Sequence, residues 1–193
     1  TRKDIVGFRA PQLGTNLNLY KVLPALGYWY DCSRIGDAGD WPYRNKNGTW
    51  IFPLANLRVG ARGTVSISMD YSLYHLQTQV RDLAKKGTPY WQQLHDDLMV
   101  AYRGYFTKNY EGNRAPVYVA NHFSKWNDGL YWEAMKDFAR EVCGKPEVMC
   151  VTHKELVERL NATPGKTVRD IQKTSATAKD PGSSVSQSIR FTE

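Results

Sequence analysis

No run of apolar residues in this 193-residue chain approaches the roughly 20 that a bilayer-crossing helix needs, so no transmembrane segment is expected. No secretory leader is legible either: Thr1-Arg2-Lys3-Asp4 runs straight into a short strand-like segment, which places any export signal upstream or nowhere. Histidine is scarce. The four are His75, His95, His122 and His153, and no two stand three to five residues apart, so they assemble no three-ligand site of the kind that activates water. The formal charge of +7 admits a polyanionic partner. Yet the Lys and Arg are scattered singly or in pairs such as Lys85-Lys86, without a basic helix face, zinc-finger spacing or aromatic RNA-binding signature, and nucleic acid is not an expected partner. No internal repeat is visible.

What is present suffices for one globular domain, since 41% hydrophobic and 12% aromatic residues can bury one sizeable core. Cysteine is limited to three. Cys143 and Cys150 flank the turn-rich Gly144-Lys145-Pro146-Glu147, where either a disulfide across a chain reversal or two separate buried thiols fits; Cys32 is left over.

Residues 5–10, 28–31, 50–59, 64–69, 116–123 and 148–152 have strand composition. Residues 17–26, 73–85, 91–110, 130–142 and 153–160 carry apolar residues at helical spacing, with Thr88 a fitting N-cap and Pro89 at the first helical position of the third. Strand, helix, strand within the first thirty residues marks a βαβ unit and hence a parallel sheet. The second and third helices form an inserted helical pair, and 36–48 a long polar loop of the kind that serves a site. From 161 the periodicity vanishes, so 1–160 is expected as the domain and 161–193 as a polar tail or linker.

In parallel α/β folds, functional groups gather at the C-terminal edge of the strands. Four strands deliver a polar residue there: Arg9, Asp31, Asp70 and His122. Trp41 and Trp126 fall in loops after such strands, where an indole face suits a sugar ring, whereas Trp50 and Trp132 are expected in the core. His75 and His95 lie in helical patterns and read as surface or packing residues.

The stretch Gly7-Phe8-Arg9-Ala10-Pro11-Gln12-Leu13-Gly14-Thr15-Asn16 resembles the arginine-containing third motif of the polysaccharide deacetylases. Tyr30-Asp31-Cys32-Ser33 resembles the start of the fourth, and VYVANHFSKW, residues 117–126, the fifth. In order and spacing they cover residues 5 to about 160. The resemblance implies an α/β fold, the C-terminal part of a distorted (β/α) barrel. It implies a secreted, periplasmic or cell-wall hydrolase that removes N-acetyl groups from an acetylated polysaccharide such as chitin or peptidoglycan. By the same resemblance His122 is the general acid, Asp31 orients it, and Arg9 orients the carboxylate that serves as base. The backbone N–H at Gln12 helps hold the oxyanion, and Trp41, Trp126, Asp40 and Asp70 line the substrate.

The departures are as specific. Gln12 stands where the family has a tyrosine, Ala120 where it has a leucine, and Asp40-Trp41 comes later than the usual Asp-Trp pair. The paired aspartates and spaced histidines that supply the family's base and its divalent metal site, zinc by expectation, have no counterpart, so no metal is expected on this chain alone. Two readings follow: the C-terminal portion of an enzyme whose remaining strands come from a missing N-terminal part, or a catalytically silent glycan-binding or scaffold protein.

Overall fold

The computed structural model describes residues 5–163, and the expected tail from 161 onward lies outside them from residue 164. The N-terminal βαβ unit forms. Strand β1 (Gly7–Phe8) leads through α1 (Leu19–Ala25) to β2 (Tyr30–Asp31), paired parallel with Gly7 opposite Tyr30 and Phe8 opposite Asp31. A Cβ at position 7 would run into the Tyr30 ring, so a larger residue there needs that ring to move. Asn16 Oδ1 accepts from Leu19 N (2.9 Å) at the start of α1, and Gly27 stops the chain beyond it with φ 85°.

The rest of the sheet departs from an all-parallel barrel. The long polar loop contains β3 (Ile35–Asp37) and β4 (Tyr43–Arg44); the strand expected at 50–59 is split into β5 (Trp50–Ile51) and β6 (Leu54–Val59). The strand expected at 64–69 is β7 (Thr64–Ile67). One sheet has the order β1-β2-β5-β4 and the other β3-β6-β7, with β4–β5 and β6–β7 antiparallel. Phe52 N to Asp31 O (2.9 Å) and Leu54 N to Arg34 O (2.7 Å) carry the ladder across the gap between the sheets. The architecture is therefore mixed α/β, with two bent mixed sheets that do not close. The stretch 116–123 contributes only a parallel bridge between Ala120 and Met69. The strand expected at 148–152 joins no ladder; the segment closes the chain reversal described below and leads into the last helix.

Alternation along β5 and the residue after it shows how the first sheet is covered. Trp50 and Phe52 pack with Cys32, Val157 and Leu160, whereas Ile51 packs with Tyr20 and Leu23 of α1. α5 (His153–Ala162) thus covers one face and α1 the other, and a capping box between Thr152 and Glu155 starts α5. The larger core lies between β6, α3 (Pro89–Glu111) and α4 (Trp126–Val142), around Leu57, Leu98, Tyr102, Leu130, Ala134 and Phe138. Each large aliphatic or aromatic side chain sealed there contributes roughly 1.5–3 kcal/mol. The expected cap forms, Thr88 Oγ1 accepting from Trp91 N at 3.3 Å.

α2 (Asp70–Thr78) ends well before residue 85. Gln79 and Val80 turn left-handed (φ 54° and 59°), and the N–H groups of Leu83 and Ala84 go to Asn127 Oδ1 at 2.9 and 3.1 Å instead of to a helix. Tertiary hydrogen bonds override the helical pattern there. Cys143 and Cys150 are joined in a disulfide, Cα atoms 5.5 Å apart, and Cys32 is buried and free. Tyr110 Oη donates to Pro146 O (3.0 Å) and Arg114 pairs with Glu147 (2.7 Å), which fastens the disulfide loop to the end of α3.

Candidate functional site

His122 and Asp70 form a short polar contact where the 116–123 stretch bridges to the segment after β7. The bridge that aligns Ala120 with Met69 sets the two residues side by side: Asp70 N donates to Ala120 O (2.9 Å). Asp70 opens α2 and is 0% exposed. Its Oδ1 faces His122 Nδ1 at 2.6 Å and accepts from Tyr71 N at 2.7 Å; its Oδ2 accepts from His122 N at 2.6 Å. One carboxylate grips ring and backbone together. A carboxylate oxygen only accepts, so Nδ1 carries the hydrogen and Nε2 is left for a substrate proton. The His122 side chain is 49% exposed, so that nitrogen is reachable.

Aromatic rings wall the histidine. Trp126 lies 5.7 Å from the His122 ring, is stacked on Tyr74 at 5.0 Å and meets the Tyr71 edge at 5.6 Å. It is the first residue of α4 rather than a loop residue, and with one face on Tyr74 it serves as a wall more than as an open platform. The turn after it is left-handed for three residues, Asn127, Asp128 and Gly129 (φ 49°, 55° and 79°), a conformation L-residues adopt only under constraint. Asn127 supplies the constraint. Fully buried, it accepts from Leu83 and Ala84, donates from Nδ2 to Thr78 Oγ1 (3.1 Å) and from N to Asp82 Oδ1 (2.7 Å), and its carbonyl takes the Trp91 indole N–H (2.9 Å).

Asp31 does not orient His122, which corrects the assignment read from the sequence. Its oxygens accept from Ser33 Oγ (2.6 Å), Ser33 N (3.1 Å) and Tyr20 Oη (3.4 Å), on the α1 side of the sheet. The error has a physical source. Consecutive strands are usually neighbours in a sheet, and with the helical pair set aside 64–69 directly precedes 116–123, whereas 28–31 lies further back; that rule points to Asp70.

Arg9 sits in a third cluster, on the α5 side. Its charge acts on the nearby Cys32 thiol, and its buried Nε has no partner among the described residues. Burial pushes the Cys32 thiol up to about 12 against the pull of Arg9. His153 stacks on Tyr30 at 5.4 Å, edge-on to Phe52 at 5.1 Å; burial first, then the Arg9 charge, lowers it to about 4, so it is a neutral ring at neutral pH. Among the described residues, the partners of His122 are Asp70, Trp126 and Trp132, not Arg9. Gln12 is exposed at the head of two left-handed residues (φ 53° and 56°), and its N–H takes no backbone partner among the described residues. Trp41 packs against the α5 cluster and donates to Asn113 O (3.1 Å), while Asp40 Oδ2 caps a turn at Asp37 N (2.8 Å); neither stands in contact with His122.

Trp50 is buried as expected, but Trp132 is only partly so, its indole N–H on the His122 carbonyl at 2.8 Å. His95 is a packing residue, stacked on Trp91 at 5.2 Å with Nε2 3.1 Å from Asp137.

No family model, curated protein or solved structure matches the chain.

Among the described residues no group of three or more His, Cys, Asp or Glu side chains comes together to hold a metal ion, and no helix is long and apolar enough to cross a membrane. The donors brought together among the described residues do not fit a resident metal.

Proposed function

We propose that this chain is the acid side of a secreted or cell-wall polysaccharide deacetylase, the C-terminal part of a barrel whose base and metal ligands come from an N-terminal part. The observation that carries the reading is the Asp70–His122 pair, a half-exposed imidazole held through Nδ1 by a buried carboxylate. In amide hydrolysis the C–N bond of an N-acetyl group breaks, water supplies oxygen to the acetate, and the amine must gain a proton to leave. His122 Nε2 gives that proton, and Asp70 holds the ring in position through Nδ1. The buried Arg9 Nε without a partner supports a role in holding an anionic group, as the resemblance assigns it to the base carboxylate. The Gln12 N–H, without a backbone partner among the described residues, supports an oxyanion donor there.

The test has two arms. The 193-residue chain alone releases no acetate from acetylated chito-oligosaccharides and binds no stoichiometric zinc, and the protein with its N-terminal part does both. Stoichiometric zinc on the isolated chain, or a parent reading frame without an Asp-Asp strand and a spaced histidine pair upstream of Thr1, contradicts the reading.

A further inference from the structure

Phe123, the residue after His122, is 102% exposed and joins none of the core clusters among the described residues. The exposure is imposed by a fixed backbone: His122 N is held by Asp70 at 2.6 Å and Asn127 N by Asp82 at 2.7 Å, which pins both ends of the short loop that carries Phe123. The Trp132 ring lies beside it, centroids 6.4 Å apart and planes inclined by only 24°. At that separation the near-parallel rings are offset and leave ring faces free. Trp132 is anchored through its indole N–H on the His122 carbonyl at 2.8 Å, which ties the aromatic pair to the backbone of the candidate acid.

Around the two rings is an open cleft of about 570 Å³ rimmed by Lys86, Lys125, Asp128, Glu133 and Lys136. Glu133 is gripped by Lys136 (2.6 Å) and Lys86 (3.4 Å), which hold its carboxyl below the ordinary range, so the rim presents fixed charges at neutral pH.

We infer that Phe123 and Trp132 form a sugar-stacking subsite beside His122, taking a pyranose ring of the same glycan chain whose neighbouring residue reaches the histidine. A pyranose has an apolar C–H face for an aromatic ring and hydroxyls at its equator for charged and polar groups, and this shelf and rim offer both in that arrangement. A protein partner needs a wider apolar patch than two rings inside a charged rim. The inference deepens the glycan reading above and rests on it for the chain's direction past His122.

The experiment titrates the 193-residue chain with N-acetylchitotetraose, following the Trp132 indole N–H by NMR and affinity by calorimetry. Wild type binds saturably, the Trp132 resonance moves, and Phe123→Ala, which removes a side chain outside the core clusters, weakens binding by roughly tenfold. Absence of binding, a stationary Trp132 resonance at saturation, or equal affinity in Phe123→Ala overturns the subsite. Self-association that Phe123→Ala abolishes overturns it in favour of a second copy. Acetate release plays no part in this titration, so failure of the shelf and failure of His122 as an acid are read separately.

Discussion

Asp31 and Asp70 are both fully buried aspartates at strand ends, and they differ in what surrounds them. Every donor around Asp31 belongs to a closed network: Ser33 Oγ gives its hydrogen to Asp31 and accepts Ala10 N at 2.7 Å, and Tyr20 Oη bonds Asp31 and accepts Arg34 Nε at 3.0 Å. That network ties β2 to α1 and to the segment after β1 and reaches no solvent-facing titratable ring. Asp70 has one donor of a different kind, the His122 ring, whose other nitrogen faces outward. A buried carboxylate therefore marks a site only when one of its partners is a proton carrier open to a ligand; otherwise it is a fastening of the fold.

The largest effect that separates the two belongs to catalysis. On the proposed deacetylase reading, His122→Ala and Asp70→Asn in the protein with its N-terminal part lower kcat for acetate release by on the order of 10²–10⁴-fold, the range for losing a general acid or its support. Asp31→Asn, which keeps the size of the side chain, leaves kcat close to wild type. Equal losses in the Asp31 and Asp70 variants break the comparison.

Asp31 is read in stability instead. Asp31→Ala strands the buried Ser33 N–H and hydroxyl and costs roughly 3 kcal/mol in urea unfolding. A cost within about 0.5 kcal/mol of zero, the range of ordinary surface substitutions, means the network is not a fastening.

The fold was legible where local chemistry decided it and illegible where distant residues did. The Thr88 cap, the Gly27 stop and the first βαβ unit follow from residues adjacent in sequence. The early end of α2 does not, because Asn127, more than forty positions away, takes the N–H groups of Leu83 and Ala84. The antiparallel β6–β7 pair was hidden by strand composition, which does not specify direction, although Gly60 and Gly63 with φ 67° and 61° mark its turn. At the site, His122 was legible as a strand-end histidine, but its partner depended on strand adjacency. Phe123 was passed over because periodicity alone does not distinguish a buried aromatic from an exposed one.

The two histidines sharpen the same contrast. His153 has no carboxylate partner and is held neutral, so the unfolded chain takes up a proton near its ordinary value of 6.5 that the folded chain refuses until about 4. Stability contributed by the neutral ring is fully present above pH 6.5 and is lost as pH falls toward 4, on the order of 3 kcal/mol in all. His153→Phe flattens that part of the stability profile, measured by urea unfolding across pH; an unchanged acid limb contradicts the assignment.

A smaller effect links the two halves of the molecule. The Cys143–Cys150 disulfide joins the end of α4, which starts beside His122, to the segment that enters α5 over the first sheet. Its reduction lowers stability by roughly 2.5 kcal/mol on the loop-entropy account, and the Asp70–His122 contact persists. Loss of that contact on reduction makes the disulfide part of the site.

The pairing itself is tested most directly by the ¹⁵N chemical shifts of the His122 imidazole in wild type, Asp31→Asn and Asp70→Asn, recorded above the pH at which the ring is protonated. Those shifts report which ring nitrogen carries the hydrogen. The expected result is Nδ1–H in wild type and in Asp31→Asn, with that preference lost in Asp70→Asn. A tautomer that changes with Asp31 and ignores Asp70 contradicts the account.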